Sequence, residues 1–135
     1  MSEKTPHPHF DDRGTLHWHT RFADASAEAR ASNKRIFIEL GREICGQCRS
    51  LVEGVIPRPD VGPHLREHYV ALAADADDAE PEVEELAAQL DGAMMLPFVI
   101  FADADGRFLD GYSGVVTPPF LVRKLRELAD KPVGG

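Results

Sequence analysis

The sequence predicts an α/β domain with a mixed central sheet, helices on both faces and a C-terminal antiparallel hairpin. Three observations carry this. Apolar runs rich in strand formers, "RIFIEL" (35–40) and "YVALAADAD" (69–77), alternate with helix-forming stretches. Two further apolar runs, "LPFVIF" and "RFLDGY", are joined by Asp103-Ala104-Asp105-Gly106, a hairpin signal. The next stretch, "TPPFLVRKLRELA", is amphipathic at helical spacing, with Phe120, Leu121, Leu125 and Leu128 on one side. With 135 residues, 43% of them hydrophobic, the chain fits one domain that can bury a core.

Each element has a local reason. Residues 1–14, rich in His, Pro, Asp and Gly, read as a flexible N-terminal arm, poorly ordered or loosely docked. "TLHWHT" (15–20) alternates as a short edge strand does. "ADASAEARAS" is a helix with Asp24 or Ser26 expected at its cap and Asn33 closing it. "RIFIEL" is the best buried strand, "GREICGQC" the turn after it, and "CRSLVEGV" a helix. Pro57, Pro59 and Pro63 then break the chain before a short helix, "VGPHLREH". "EPEVEELAAQL" is a helix with Pro81 and acidic residues in its first turn and Gly92 at its end. The domain is expected over 15–130, with a frayed C-terminus at 131–135.

Charge narrows the function classes. A net charge of −8 and a pI near 5.1 give a field of the wrong sign for nucleic acid or anionic lipid. No apolar run approaches a membrane span. With no secretory leader visible, the expected compartment is the cytoplasm, or the periplasm if a leader has been removed.

The chemistry centres on "EICGQCRS", which holds the only two cysteines, Cys45 and Cys48. Three readings of them stand. As a redox couple, Cys45 opens a helix behind a buried strand, where exposed N–H groups and the helix dipole stabilise a thiolate. Two intervening residues bring Cys48 within bonding reach, so that Cys45 attacks a disulfide and Cys48 resolves it. As a zinc site, the cysteines with His64 and His68 make C-x2-C, fifteen residues, H-x3-H. That reading meets the wrong context: three prolines intervene, and the cysteines follow a strand rather than lying in a hairpin. As inert thiols, they are two small hydrophobes.

The stretches "RIFIELGREICGQCRSL" and "MMLPFVIFADADGRFLDGYSG" resemble the thioredoxin superfamily's strand–CxxC–helix segment and its proline strand, hairpin and closing glycine. The resemblance runs from about Trp18 to Leu128 and implies a thioredoxin-like fold. The N-terminal Trp, the Ala-rich helix ending in "NK" and the Pro-broken helix are most similar to the family's thioredoxin-related single-domain members. The resemblance implies a thiol–disulfide oxidoreductase acting on protein disulfides. Cys45 is then the nucleophile, Cys48 the resolving cysteine and Glu39 the buried acid that moves a proton. Leu96 offers backbone to substrate, Pro97 takes the cis peptide beside the dithiol, and Gly114 lies near the groove. Ile44, Gly46 and Gln47 complete the substrate-facing set. Ile44 replaces the family's aromatic residue, Gln47 its proline, and Ala71 the lysine that often accompanies the acid. The implied partners are protein disulfides and a dithiol or reductase electron donor, with no bound cofactor and no metal. The alternative is a metal-binding (zinc or copper) or redox-sensing adaptor on the same fold.

Other residues have plainer readings. His17 and His19 share a strand face without a visible third ligand, and His7 and His9 fall in the arm. His64 and His68 share a helix face as surface groups. Met94 and Met95 are a soft rim or packing residues. Asp103 and Asp105 belong to a hairpin turn, since no downstream Glu completes a calcium loop.

Overall fold

A computed structural model describes residues 5–90, 95–114 and 117–129. In chain order the elements are β1 (Trp18–His19), α1 (Phe22–Ser32), β2 (Arg35–Gly41), α2 (Gly46–Arg49), a π-helical segment (Ser50–Val55), α3 (Gly62–His68), β3 (Tyr69–Asp75), α4 (Pro81–Ala87), β4 (Phe98–Ala102), β5 (Phe108–Ser113) and α5 (Pro118–Ala129). The sheet order is β1-β3-β2-β4-β5. The first three of these strands are parallel, and β4 pairs antiparallel with both β2 and β5, as the mixed-sheet expectation requires.

Strand β2 is buried along its whole length and divides the core by its pleat. Ile36, Ile38 and Leu40 face α1 and α4, meeting Ala25, Ala29, Val83 and Leu86. Phe37 faces the opposite layer, with Trp18, Cys48, Leu51, Leu65 and Leu125. Glu39 and Gly41 follow Phe37 at the strand's period of two, so an acid points into that second layer.

Local signals explain most element ends. Asn33 closes α1 in the left-handed conformation (φ 56°), and its N–H reaches back to Ala29 and Arg30. In the hairpin, Asp103 Oδ1 accepts the N–H groups of Asp105 and Arg107, each at 2.9 Å, so this acid serves a turn.

Several expectations need correction. Arg21, not Asp24 or Ser26, is the cap of α1 and makes no side-chain cap bond. The orphan Phe22 N–H donates instead to Glu80 Oε1 of a distant loop (2.7 Å), while Ser26 Oγ donates to the Ala104 carbonyl. β1 is shorter than "TLHWHT", and α4 ends at Ala87. Gly92, Met94 and residues 131–135 lie outside the described residues. The arm is docked more closely than expected, and packs against the domain over residues 5–14. Trp18 N–H donates to the Thr5 carbonyl (2.8 Å), and His7, Phe10 and Asp12 are buried. The rings of His7 and Phe10 leave water there, which works against the entropy cost of ordering the segment.

Candidate active site

The site forms where β2 ends. Leu40 pairs with Phe98 across the sheet, so the turn after β2 and the segment entering β4 emerge side by side. The first carries Cys45 and Cys48. The second carries Leu96 and Pro97, joined by a cis peptide bond. Phe98 pairs with Ser113 on its other side, which brings Gly114 to the same place. Gly114 N–H donates to the Pro97 carbonyl (3.0 Å) with φ at +91°, a conformation in which a side chain is strained.

Cys45 and Cys48 form a disulfide with α-carbons 5.3 Å apart. Cys45 is the N-cap of α2, and its Sγ accepts the Cys48 N–H at 3.2 Å. The two sulfurs differ in access: Cys45 is half-buried, whereas Cys48 is fully buried in the core. Gly46 is exposed and Gln47 half-buried between them. Ile44, just before, is 94% exposed, and Met95 is 57% exposed. These are the large exposed hydrophobic side chains among the described residues, and they belong to the two segments that bracket the disulfide.

Beneath the disulfide lies Glu39, 1% exposed. A Cβ on Gly41 would collide with Glu39 Oε2 and stand 2.7 Å from Cys48 Sγ. The carboxylate and the buried sulfur thus share the space over Gly41, and only glycine leaves that space open. Across the sheet Glu39 meets Ala73 in β3 and Val99 in β4, with Ala71 one pair further along the same strand face. None of these offers an ammonium group. Its partner comes from the arm: His7 Nε2 lies 2.7 Å from Glu39 Oε1, both side chains buried. Glu39 Oε2 has no hydrogen-bond partner among the described residues.

His7 is the residue that the sequence reading missed. It stacks on Phe10 (centroids 5.3 Å apart) and meets Trp18 edge-on (4.8 Å). Asp12 anchors this group by accepting Trp18 Nε1–H at 2.8 Å. The arm also reaches the mouth of the site, where Phe10 lines a shallow cavity with Ile44, Cys45 and Arg49.

Tyr112, packed against this same layer, is driven well above the usual phenol range by burial, with Asp110 adding to the effect, and so stays protonated. His64 is held below the usual imidazole value by burial and then by His68. His64 and His68 pair their rings on α3 (4.6 Å). Among the described residues one group could hold a metal ion, His17, His19 and Glu28. It supplies the third ligand that the sequence reading lacked. However, His17 Nδ1 already accepts the Thr5 N–H, and His19 Nε2 lies 3.3 Å from Glu28. The cysteines are not part of it.

Comparison with known proteins gives a consistent picture. A family model described as "Thioredoxin-like" matches residues 17–104. Over 86 residues the chain is 24% identical to spermatogenesis-associated protein 20 of Rattus norvegicus. That match takes in 64% of this chain but only 11% of the longer protein. Among solved structures, a thioredoxin from Thermus thermophilus superposes with a TM-score of 0.68 at 21% identity, covering 86% of this chain and 88% of its own. A disulphide isomerase from Xylella fastidiosa gives 0.62 at 16% identity, over 80% and 88%. At these identities the structures establish the shared fold.

Proposed function

We propose that this chain, which belongs to the thioredoxin-like family, is a thiol–disulfide oxidoreductase acting on protein disulfides through Cys45 and Cys48. The observation that carries the reading is the disulfide itself, half-open at Cys45 and closed at Cys48, with a buried carboxylate under the closed sulfur. Two inert thiols would need no such acid, because burying a carboxylate among Ala73, Val99 and Cys48 is costly.

In the reduced protein the accessible Cys45 thiolate attacks a substrate disulfide. One substrate sulfur leaves and takes a proton, and a mixed disulfide forms at Cys45. Cys48 then loses its proton to Glu39 and attacks Cys45 Sγ, which releases the second substrate sulfur and closes the Cys45–Cys48 bond. Two electrons pass to the substrate. A dithiol protein or a reductase returns them, and no bound cofactor takes part. Ile44, Gly46, Gln47, Leu96, Pro97 and Gly114 form the surface that meets an extended substrate segment. The exposure of Ile44 supports an apolar contact there. A reducing cytoplasm is the setting in which such a dithiol would be kept ready.

The test is reduction of insulin disulfides by the wild type and by Cys45→Ser, with metal content measured on the same samples. Turnover that Cys45→Ser abolishes is expected. Absence of wild-type turnover together with stoichiometric zinc or copper overturns the proposal. The midpoint potential then gives direction: a value near about −270 mV marks a reductase and one near about −120 mV an oxidant.

A further inference from the structure

We propose that His7, on the N-terminal arm, is a positioning residue for the resolving step: it holds Glu39 so that the second carboxylate oxygen faces Cys48. This rests on the dithiol reading given above, and it concerns a segment outside the CxxC region altogether.

The hydrogen-bond pattern assigns the tautomer of His7. Its Nδ1 accepts the backbone N–H groups of His9 (3.0 Å) and Phe10 (3.2 Å), so that nitrogen carries no proton. The ring proton is therefore on Nε2, which donates to Glu39 Oε1 at 2.7 Å. A neutral imidazole thus occupies one carboxylate oxygen and leaves Oε2 over Gly41, beside Cys48 Sγ. A protonated Nδ1 would set a hydrogen against two N–H donors, so His7 holds the acid in place and does not pass the proton on.

The arrangement is over-determined. Phe10 and Trp18 pack on two sides of the ring. Asp12 fixes Trp18 and also accepts the N–H groups of Gly14 (3.1 Å), Thr15 (3.2 Å) and Leu16 (2.9 Å). The groups facing Glu39 are His7 from the arm, Cys48 from α2, Ala73 from β3 and Val99 from β4. The other charged or titratable groups about His7 are His9, edge-on at 6.0 Å, Asp12 behind Trp18, and Arg49, whose guanidinium lies 5.8 Å from the Phe10 ring.

In the step concerned, the Cys48 S–H bond breaks, its proton goes to Glu39 Oε2, and the sulfur electron pair bonds to Cys45 Sγ. The Cys45–substrate bond breaks, and the substrate sulfur leaves as a thiolate. His7 acts only by keeping Oε2 within reach of that proton.

The experiment uses the reduced full chain and dithiobis(nitrobenzoate) as the probe disulfide. The first thionitrobenzoate released reports attack by Cys45, and the second reports resolution by Cys48. His7→Phe keeps the ring stack but loses the donor, whereas His7→Gln restores a donor. In His7→Phe the second phase is expected to slow about ten- to a hundredfold, the worth of a hydrogen bond to a charged group. Its pH profile should shift, the first phase should be unchanged, and His7→Gln should recover most of the loss. In a Glu39→Gln background the His7→Phe effect should vanish. An unchanged second phase and pH profile in both His7 variants overturns the inference while leaving the dithiol reading intact. Equal slowing with and without Glu39 also overturns it. A wild type that releases no second thionitrobenzoate refutes the dithiol reading itself.

Discussion

Glu39→Gln should make the oxidised protein more stable and a poorer catalyst. In the oxidised state Glu39 is 1% exposed and keeps one hydrogen bond, from His7, while Oε2 has no partner among the described residues. Cys48 is in a disulfide and has no S–H to offer. An unsatisfied buried polar atom costs about 1–3 kcal/mol, more where it is charged. Glutamine preserves shape and an acceptor for His7 Nε2–H but removes the charge. Its amide nitrogen is then as unpartnered as Oε2, so only the extra cost of the charge is recovered; the expected gain is about 1 kcal/mol, read as a higher guanidinium midpoint by circular dichroism with unchanged slope. Reduction supplies a Cys48 S–H that can donate to Oε2, so the gain should shrink in the reduced protein. The difference between the two states also appears as a potential, about 30 mV for each 1.4 kcal/mol, with the variant the more reducing. The rate of resolution should fall about 10²- to 10⁴-fold, the usual worth of a general base. An oxidised variant destabilised by about 1 kcal/mol or more would refute the reasoning, because Glu39 would then be a net anchor rather than a tolerated cost.

Two further predictions test the surroundings. Gly41→Ala should cost about 1–3 kcal/mol by overpacking, and it should slow the second thionitrobenzoate phase, since its methyl group displaces Glu39 Oε2 or Cys48 Sγ; a fully stable variant with normal resolution counts against the shared space. His64 is held below its ordinary 6.5 in the folded state, so as pH falls through 6.5 the unfolded chain takes up a proton that the folded one refuses, and stability drops. His64→Gln should flatten the unfolding free energy in that window, and identical pH profiles for both proteins would contradict the shift.

Much of the fold was legible because local rules and global packing agree along β2. The alternation of Ile36, Ile38 and Leu40 against Phe37 and Glu39 already encodes two faces, and the structure fills both. Asn33 and the Asp103 turn are likewise local, each set by its own backbone geometry. The cap of α1 was not legible, because Glu80 reaches it from 58 residues away. His7 failed for the same reason. Its contact with Glu39 spans 32 residues, and "HPHF" has a loop's composition whether or not it docks. The available clue was chemical: a single acid on a buried strand demands a donor, and Ala71 and Ala73 could not be one. Asking which remaining histidine could reach it would have brought the arm into view.

The docked arm has a consequence for the outer boundary of the sheet. β1 is only two residues long and is the terminal strand, paired on one side with β3. Its outward N–H at Trp18 would be a template for a strand from another molecule. Thr5 already occupies it, with its carbonyl taking the Trp18 N–H and its own N–H going to His17. The segment that presents His7 to the interior therefore also seals an edge against other chains. A chain whose arm came loose would expose a short, aromatic-flanked β edge, so the same few contacts both hold His7 against Glu39 and cover the outer strand of the sheet.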